Sequence, residues 1–231
     1  MVTVSLVIPT YNEKDNISVL TEKIFAVFEK NNIDAELIIV DDNSPDGTGK
    51  IADELARKYN IQVIHRSGKF GLSSAVLEGF KISKGPILGA MDADFSHPTD
   101  SIPEILKPLL NNNAEISIGS RYISGGRIEN WPFVRKIISK GATLLAKPLT
   151  KVKDPMSGFF FIKKEVISDK ILNPKGYKIC LEVLIKGSYQ SVVEVPIVFT
   201  DRKKGKSKLN LKEYINFISD LIGLYIYRIK H

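Results

Sequence analysis

Two carboxylates spaced two residues apart, Asp92 and Asp94, are the side chains in this sequence best suited to chemistry. They follow an apolar run, Ile87 to Met91, that predicts a buried strand. In extended chain this spacing puts both side chains on one side. Mg²⁺ and Mn²⁺ prefer oxygen ligands, and commonly take one or two carboxylates together with substrate phosphates. The pair therefore indicates a cation site for a diphosphate, whereas the alternative is a solvated loop that caps the next helix.

The segments around this pair alternate between strand-like and helix-like patterns. Buried strands are predicted at Val4 to Ile8, Leu37 to Val40, Gln62 to Ile64, Ile87 to Met91 and Glu115 to Gly119. Helices are predicted at Lys14 to Phe28, Thr48 to Tyr59, Leu72 to Ile82 and Ser101 to Leu110. This alternation predicts an α/β fold with a doubly wound, mostly parallel central sheet flanked by helices. Ligands of such sheets bind beyond the carboxyl ends of the strands.

Polar residues stand where three of these predicted strands end. They form the segments Pro9 to Glu13, Asp41 to Asp42, and Asp92 to Asp94. Because parallel strands end at the same edge of a sheet, we expect all three segments to contribute to one site.

The second half of the chain is less regular. Strands are predicted at Ser157 to Ile162 and at Val192 to Phe199, where Pro196 suggests a sheet edge or a bulge. Basic amphipathic helices are predicted at Phe133 to Leu149 and Leu211 to Arg228.

Composition narrows the class of partner. The 231 residues carry a formal charge of +7 and a pI near 9.3, which suggests an anionic partner: nucleic acid, a phosphorylated substrate or a membrane surface. The single cysteine, Cys180, excludes an internal disulfide and fits a reducing compartment. We also expect no signal peptide, because the N-terminal apolar run is short and has no basic leader.

Other nucleotide- and phosphate-binding classes fit less well. The segment Gly47 to Lys50 resembles part of a P-loop, but Ser44 occupies the position that needs the first glycine. No Gly-x-Gly-x-x-Gly turn follows the first predicted strand, which argues against a hydride-transferring dinucleotide enzyme. We expect no nucleic-acid partner, because the basic residues cluster around phosphate-type motifs rather than on a reading helix.

Several motifs together resemble the family 2 glycosyltransferases with the GT-A fold, and most closely their dolichyl-phosphate mannose synthases. The motifs are VIPTYNE from Val7, VDDNSPDGT from Val40, DAD from Asp92, SRY from Ser120, DPMSGFF from Asp154 and RKKGKSKL from Arg202. The resemblance implies inverting transfer of a hexose, mannose from GDP-mannose, to dolichyl or polyprenyl phosphate. Transfer from UDP-glucose and non-catalytic binding of a nucleotide sugar are the alternatives.

The same resemblance assigns the donor site. The nucleoside pocket would be lined by Pro9, Tyr11, Glu13, Val40 and Asp42. Asp92 and Asp94 would hold Mg²⁺ or Mn²⁺ against the diphosphate, with the backbone of Ala93 beside the nucleotide. Ser96 would be a third metal ligand. Its side chain is shorter than that of the glutamine common at this position, so it suits contact with the metal through a water molecule. His97 is interpreted as structural. The donor diphosphate would also contact Lys178, Arg202 and Lys208.

Basic and hydroxyl side chains are assigned to the acceptor phosphate. The resemblance implies this role for Arg121, Arg135 and Ser139, because a guanidinium binds phosphate oxygens in a bidentate manner. The catalytic set would comprise Asp94, Arg121, Arg135 and Arg202. The alternative for Arg135 is a solvent-facing charge on an amphipathic helix.

The domain and membrane expectations follow from this assignment. Residues 1–208 would form the catalytic domain, with a nucleotide-binding half (1–120) and an acceptor half (121–208), and residues 209–231 a membrane-interface helix. We expect peripheral binding at the cytoplasmic face of a membrane, because no segment reaches the ~20 apolar residues of a spanning helix. Small membrane subunits are possible partners. Leu221 and Tyr225 are expected to face lipid, and the alternative is that both amphipathic helices pack on the core.

Overall fold

A computed structural model of the chain describes residues 2–174, 178–201 and 211–230. The strands are β1 (Val4–Thr10), β2 (Ala35–Asp41), β3 (Ile61–His65), β4 (Ile87–Ala90), β5 (Ile116–Ser120), β6 (Arg127–Glu129), β7 (Phe160–Lys163), β8 (Val192–Pro196) and β9 (Val198–Thr200). The α-helices are α1 (Ile17–Lys30), α2 (Thr48–Ala56), α3 (Leu72–Ile82), α4 (Ile102–Leu110), α5 (Phe133–Ala146), α6 (Ile179–Lys186) and α7 (Leu211–Lys230).

Seven strands form the central sheet, in the order β3-β2-β1-β4-β7-β5-β8. The pairs among β3, β2, β1 and β4 are parallel, β7 is antiparallel to both of its neighbours, and β5 pairs in parallel with β8. The predicted mostly parallel α/β sheet is therefore confirmed. Strands from residues 1–120 and from residues 121–208 share this sheet, so the two predicted halves belong to one packed unit.

The central strands are apolar on both faces because helices cover both sides of the sheet. On one face Leu6, Ile8 and Leu37 pack with residues of α1, α2 and α4. On the other face Val7 and Ile38 pack with residues of α3 and α6. These side chains are fully buried, and burial of each contributes about 1.5–3 kcal/mol.

Two elements of the second half have no counterpart among the predicted ones. Helix α6 is short and buried around its whole circumference, so its sequence lacks the amphipathic period that predicts a helix. Strand β6 has only three residues and pairs with β9 in a separate two-stranded sheet. The predicted single strand from Val192 to Phe199 is wrong, because the chain leaves β5 after Pro196 and pairs with β6 from Val198.

Helix α7 packs on α6 and on the end of α5. Phe217, Leu221 and Leu224 join Leu181 and Ile185 in a buried cluster. The Tyr225 hydroxyl donates a hydrogen bond to the Leu145 carbonyl at 2.7 Å. The expectation that Leu221 and Tyr225 face lipid is therefore wrong. Helix α7 has apolar side chains on two faces, and the face that carries Leu221 and Tyr225 packs against protein. None of the helices in the described ranges is long and apolar enough to span a bilayer.

Candidate functional site

The parallel strands bring the predicted polar segments to one edge of the sheet. β1 and β2 run in register, with Pro9 opposite Val40 and Thr10 opposite Asp41. β4 is parallel to β1 on its other side, so Asp92 also follows a strand at this edge. The segments that carry the predicted donor residues therefore leave the sheet side by side.

The ring of Tyr11 lies beneath a lysine from another loop. Lys69, in the loop between β3 and α3, places its Nζ 3.9 Å from the centroid of the half-buried Tyr11 ring. A cation at this distance is attracted by the negative face of the ring. Tyr11 therefore offers an aromatic face in an electropositive surrounding, which suits a nucleoside attached to phosphates.

Asp42 organises the same loop. Its carboxylate accepts hydrogen bonds from Arg66 Nη1 at 2.6 Å and from the Gly71 backbone N–H at 2.7 Å. Arg66 also pairs with Glu78 at 2.9 Å, and its side chain is 7% exposed. Gly71 has a φ of +100°, a backbone conformation that glycine adopts at little cost. Sequence reasoning missed Arg66, although a basic residue just after a strand at this edge is a usable signal.

Three other residues predicted to contact the nucleotide, Glu13, Val40 and Ala93, have buried side chains. Glu13 is buried and accepts a hydrogen bond from the Asn16 side chain at 2.8 Å, next to the start of α1. Val40 and Ala93 are buried in the two core clusters. A nucleotide contact at Val40 or Ala93 would therefore be made through the main chain.

Asp92 is held from two directions. The Nε2 atom of His97 lies 3.3 Å from Asp92 Oδ2, and a Cβ atom at Gly158 would lie 2.9 Å from the same oxygen. The positive charges of Arg121 and Lys178 act on this carboxylate. Its side chain remains 29% exposed and can reach a ligand.

Asp94 and Ser96 form a tight turn after the strand. Asp94 Oδ1 accepts hydrogen bonds from the Ser96 hydroxyl and, at 3.1 Å, from the Ser96 backbone N–H. Between them Phe95 has a φ of +60°, which is uncommon for a bulky residue. Such strain is often found at ligand-binding turns.

The donor atoms in this turn suit a hard cation. Among the described residues no group of three or more His, Cys, Asp or Glu side chains could hold a metal ion by itself. Two carboxylates and a hydroxyl, from Asp92, Asp94 and Ser96, supply only oxygen atoms, which Mg²⁺ and Mn²⁺ prefer. Mg²⁺ usually binds proteins through one or two carboxylates and completes its shell with water and substrate phosphate. The residues present therefore fit a cation that arrives with a diphosphate.

Arg121 is fixed by a buried carboxylate. Its Nε and Nη2 atoms donate to Asp154 at 2.7 and 2.6 Å, and its backbone N–H donates to the same side chain at 2.9 Å. Burial alone would lower the pKa of the Arg121 guanidinium, but the charge and hydrogen bonds of Asp154 raise it above its ordinary value. Arg121 therefore keeps a permanent charge in a defined orientation.

Glu194 supports this pair from the neighbouring strand. It accepts hydrogen bonds from the backbone N–H of Lys153 at 2.8 Å, from that of Asp154 at 2.9 Å and from the Ser120 hydroxyl at 2.7 Å. Sequence reasoning gave no role to Asp154 or Glu194. A charged residue inside an otherwise apolar strand was the available signal for Glu194.

Arg135 and Ser139 share one helix, α5, near the start of which Trp131 is buried. Arg135 pairs with Asp201 at 2.6 Å and lies 4.2 Å from the Trp131 ring. The Ser139 hydroxyl accepts a hydrogen bond from the Tyr122 hydroxyl at 2.8 Å. Arg121 is also within 5.6 Å of the Trp131 ring, so the structure brings the two predicted acceptor arginines to one aromatic residue.

Lys178 stands at the start of α6, beside the arginine-carboxylate pair. Burial, with a contribution from the nearby Arg121 charge, lowers the pKa of Lys178 to about 7. Its charge therefore responds to pH and to bound anions in the physiological range. Two further predicted diphosphate ligands, Arg202 and Lys208, lie outside the described residues.

Comparisons with known proteins agree with this geometry. The family model for glycosyl transferase family 2 matches residues 5–170. Three relatives are called dolichol-phosphate mannosyltransferase: those of Pyrococcus furiosus at 45% identity, Saccharomyces cerevisiae at 40% and Mycosarcoma maydis at 38%. They match 96%, 97% and 97% of this chain. The chain spans 63%, 87% and 79% of their respective lengths.

Solved structures show the same architecture. Mannosyl-3-phosphoglycerate synthase from Rubrobacter xylanophilus superposes with a TM-score of 0.68 at 19% identity, over 99% of this chain and 73% of that one. Glucosyl-3-phosphoglycerate synthase from Mycobacterium tuberculosis, in complex with Mn²⁺, UDP-glucose and phosphoglyceric acid, gives a TM-score of 0.70 at 18% identity, over 98% and 79% of the two chains. These similarities concern the fold, which is GT-A. With the family model over more than half of its length, the chain belongs to glycosyl transferase family 2.

Proposed function

We propose that this chain transfers mannose from GDP-mannose to dolichyl phosphate or a similar polyprenyl phosphate. One observation carries the proposal: three relatives at 38–45% identity over nearly the whole chain are called dolichol-phosphate mannosyltransferase. The candidate site supports it with chemistry, because carboxylates that suit a cation-bound diphosphate lie within the electrostatic reach of a fixed arginine.

In the proposed reaction an oxygen of the acceptor phosphate forms a bond to the anomeric carbon of mannose. The bond from that carbon to the donor diphosphate breaks, and GDP leaves with the electron pair. Attack opposite the leaving group inverts the anomeric centre and gives a β-linked sugar phosphate. Because the acceptor oxygen is already anionic near neutral pH, no general base has to remove a proton.

The donor diphosphate would be held with a divalent cation by Asp92, Asp94 and Ser96. When bound, Mg²⁺ or Mn²⁺ would neutralise charge that develops on the leaving diphosphate. One protein of the same fold, glucosyl-3-phosphoglycerate synthase, has been crystallised with Mn²⁺ and UDP-glucose, which supports a cation in this type of site. Lys178 would add to this neutralisation, because a nearby anion favours its charged form.

The acceptor phosphate would be positioned by the cationic groups on the other side of the site. Arg121 suits this role because Asp154 occupies two of its nitrogen atoms and fixes the plane of the guanidinium. Arg135 and Ser139 would contribute from α5, with Trp131 as the surface against which Arg135 packs. Arg202, which lies outside the described residues, is proposed as the remaining cation near the leaving group.

The acceptor is a lipid, and the surface of α5 suits a bilayer. Six large apolar side chains on this helix are 42–76% exposed: Phe133, Val134, Ile137, Ile138, Leu144 and Leu145. Their spacing places them on one face of the helix. Lys140, which is exposed on the same helix, would remain at the level of anionic headgroups.

Helix α7 carries a second exposed apolar stripe next to α5. Ile218, Ile222, Ile226 and Ile229 are 45–84% exposed and recur at helical spacing. Contiguous apolar surface of this kind is typical of membrane or protein interfaces. We infer that both helices insert into the cytoplasmic face of a membrane as peripheral anchors, and small membrane subunits would be further partners at this surface.

The decisive experiment is a transfer assay with the purified full chain. GDP-[³H]mannose, a short polyprenyl phosphate and Mg²⁺ or Mn²⁺ are incubated, and label in the organic phase is compared with GDP released. We expect equal amounts of both products. Transfer from UDP-glucose in a parallel reaction, with none from GDP-mannose, would replace the proposed donor. Tight nucleotide-sugar binding without any product would indicate a non-catalytic binding protein.

A further inference from the structure

His97 contacts the cation site from inside the core. Its Nε2 atom lies 3.3 Å from Asp92 Oδ2. The His97 side chain is 1% exposed, whereas that of Asp92 is 29% exposed. The carboxylate therefore meets a buried imidazole on its inner side and keeps accessible surface for a ligand.

The imidazole ring has little freedom to turn. Its centroid is 5.3 Å from that of Phe159 and 5.0 Å from that of Phe199, and the Phe199 ring stands nearly perpendicular to it. Both phenylalanines are buried, so neither can move away without disturbing the core. The direction of the Nε2 atom is therefore fixed by packing.

The carboxylate of Asp92 is confined on another side by backbone. A Cβ atom at Gly158 would lie 2.9 Å from Asp92 Oδ2, closer than such atoms approach in proteins. Gly158 directly precedes Phe159, one of the two rings that hold His97. The same short segment therefore limits both the imidazole and the oxygen that it contacts.

Packing alone does not account for a histidine at this position. The Nδ1 atom of His97 is buried and has no hydrogen-bond partner among the described residues. A buried polar atom without a partner costs stability. An apolar side chain of similar size would avoid this cost among the aromatic neighbours, so the gain from histidine has to come from its contact with Asp92.

We propose that His97 is a positioning residue: it donates a hydrogen bond from Nε2 to Asp92 and fixes the orientation in which this carboxylate holds a divalent cation. The inference rests on the proposed function, because it takes Asp92 as a cation ligand. Partners that hydrogen-bond to a metal-binding side chain orient it, and their loss commonly lowers metal affinity about 10–100-fold.

The test compares two variants of His97 whose side-chain amide nitrogen, the hydrogen-bond donor, extends to different distances toward Asp92. In His97→Gln the amide nitrogen can approach the position of Nε2, whereas in His97→Asn it is too short to contact Asp92. Mn²⁺ binding to the full chain is measured with saturating GDP, from the free Mn²⁺ signal in electron paramagnetic resonance. We expect His97→Gln to bind Mn²⁺ within about threefold of the unmodified chain, and His97→Asn about 10–100-fold more weakly.

A third variant separates positioning from folding. His97→Leu removes the hydrogen bond together with the unpartnered Nδ1 atom. We expect its melting temperature to equal or exceed that of the unmodified chain, while Mn²⁺ affinity falls as in His97→Asn. Equal Mn²⁺ affinities for the Gln and Asn variants would overturn the proposal, as would unchanged affinity in a folded His97→Leu protein.

Two controls distinguish this inference from the proposed function. His65 pairs with Asp53 at 2.9 Å and not with a proposed cation ligand, so His65→Leu should leave Mn²⁺ affinity unchanged. Asp92→Asn should weaken Mn²⁺ binding at least as much as His97→Asn. Weakened binding in Asp92→Asn but not in His97→Asn would refute only the role of His97. Unchanged binding in Asp92→Asn would refute both that role and the proposed cation site.

Discussion

The ammonium group of Lys69 lies 3.9 Å from the centre of the Tyr11 ring. This contact joins two loops at the edge of the sheet: the loop that follows β1 and the loop that precedes α3. If a base stacks on this face of Tyr11, it has to displace Lys69, which then becomes available to the phosphates of the same nucleotide.

A substitution at Lys69 tests this exchange. The contact of a cation with an exposed aromatic face contributes about 0.5–1 kcal/mol. We expect Lys69→Met to bind guanosine about two- to fivefold more tightly, because the base no longer competes with the ammonium group, and to bind GDP no more tightly. Calorimetric titration with both ligands measures the difference. Weaker guanosine binding by Lys69→Met would show that Lys69 contacts the base directly.

Asp94 is expected to be required for transfer but not for folding. Asp94→Ala removes a proposed cation ligand and the acceptor of the Ser96 hydrogen bonds. We expect transfer of mannose to fall by at least about 100-fold, while the circular dichroism spectrum is retained. Asp100→Ala provides a matched control, because Asp100 is an exposed acid in the following turn and should leave the rate unchanged. Near-normal turnover by folded Asp94→Ala would reject the cation assignment.

Periodicity and motif order were sufficient for the framework of the fold. The apolar runs that become β1, β2 and β4 are buried on both faces, and each is followed by polar residues, so their ends could be recognised. Helix α6 could not be recognised in this way, because seven of its eight residues are apolar or buried regardless of their position in the helical turn. The sequence of a uniformly buried helix has no hydrophobic periodicity from which the helix could be predicted.

The partners within the site depend on contacts between distant parts of the chain. Arg121 meets Asp154 from 33 residues away, and Glu194 supports Asp154 from 40 residues away. No local pattern encodes these distances. Helix α7 is a second case in which local sequence is insufficient. Leu221 and Leu224 face protein while Ile222 and Ile226 are exposed, and the sequence alone does not indicate which of the two apolar faces is covered.

The buried pair of Arg121 and Asp154 is expected to support both stability and transfer. Their side chains are 7% and 0% exposed. Loss of one partner from a buried pair commonly costs about 3–5 kcal/mol, so we expect Asp154→Asn to lower the free energy of unfolding by about that amount. Urea denaturation measures it. Glu129→Gln breaks an exposed arginine pair, with Arg127, and should cost less than about 1 kcal/mol because solvent screens it. A similar small cost for both variants would contradict the prediction.

Lys178 is expected to make stability depend on pH. Its pKa is lowered to about 7 in the folded chain, whereas an unfolded lysine has an ordinary pKa near 10.4. Between these values the unfolded chain binds more protons, so the contribution of Lys178 to the free energy of unfolding rises with pH from about 7 to about 10.4. Lys178→Met should therefore be more stable than the unmodified chain at pH 7 and below, and the difference should shrink toward pH 10. Thermal melts across this range measure it, and Lys58→Met, at an exposed lysine, should show no such trend.

Membrane binding is expected to depend on the exposed stripe of α7 and not on its buried side. The double variant Ile222→Ser and Ile226→Ser removes side chains that are 56% and 48% exposed. Since full burial of one such side chain contributes about 1.5–3 kcal/mol, we expect binding to vesicles of phosphatidylcholine and phosphatidylglycerol to fall by about tenfold or more. Flotation measures it.

Val19→Ser, at an exposed valine of α1, should float like the unmodified chain, whereas Leu221→Ser should lower the melting temperature through the buried cluster. Unchanged flotation of a folded double variant would show that α7 does not contact the bilayer.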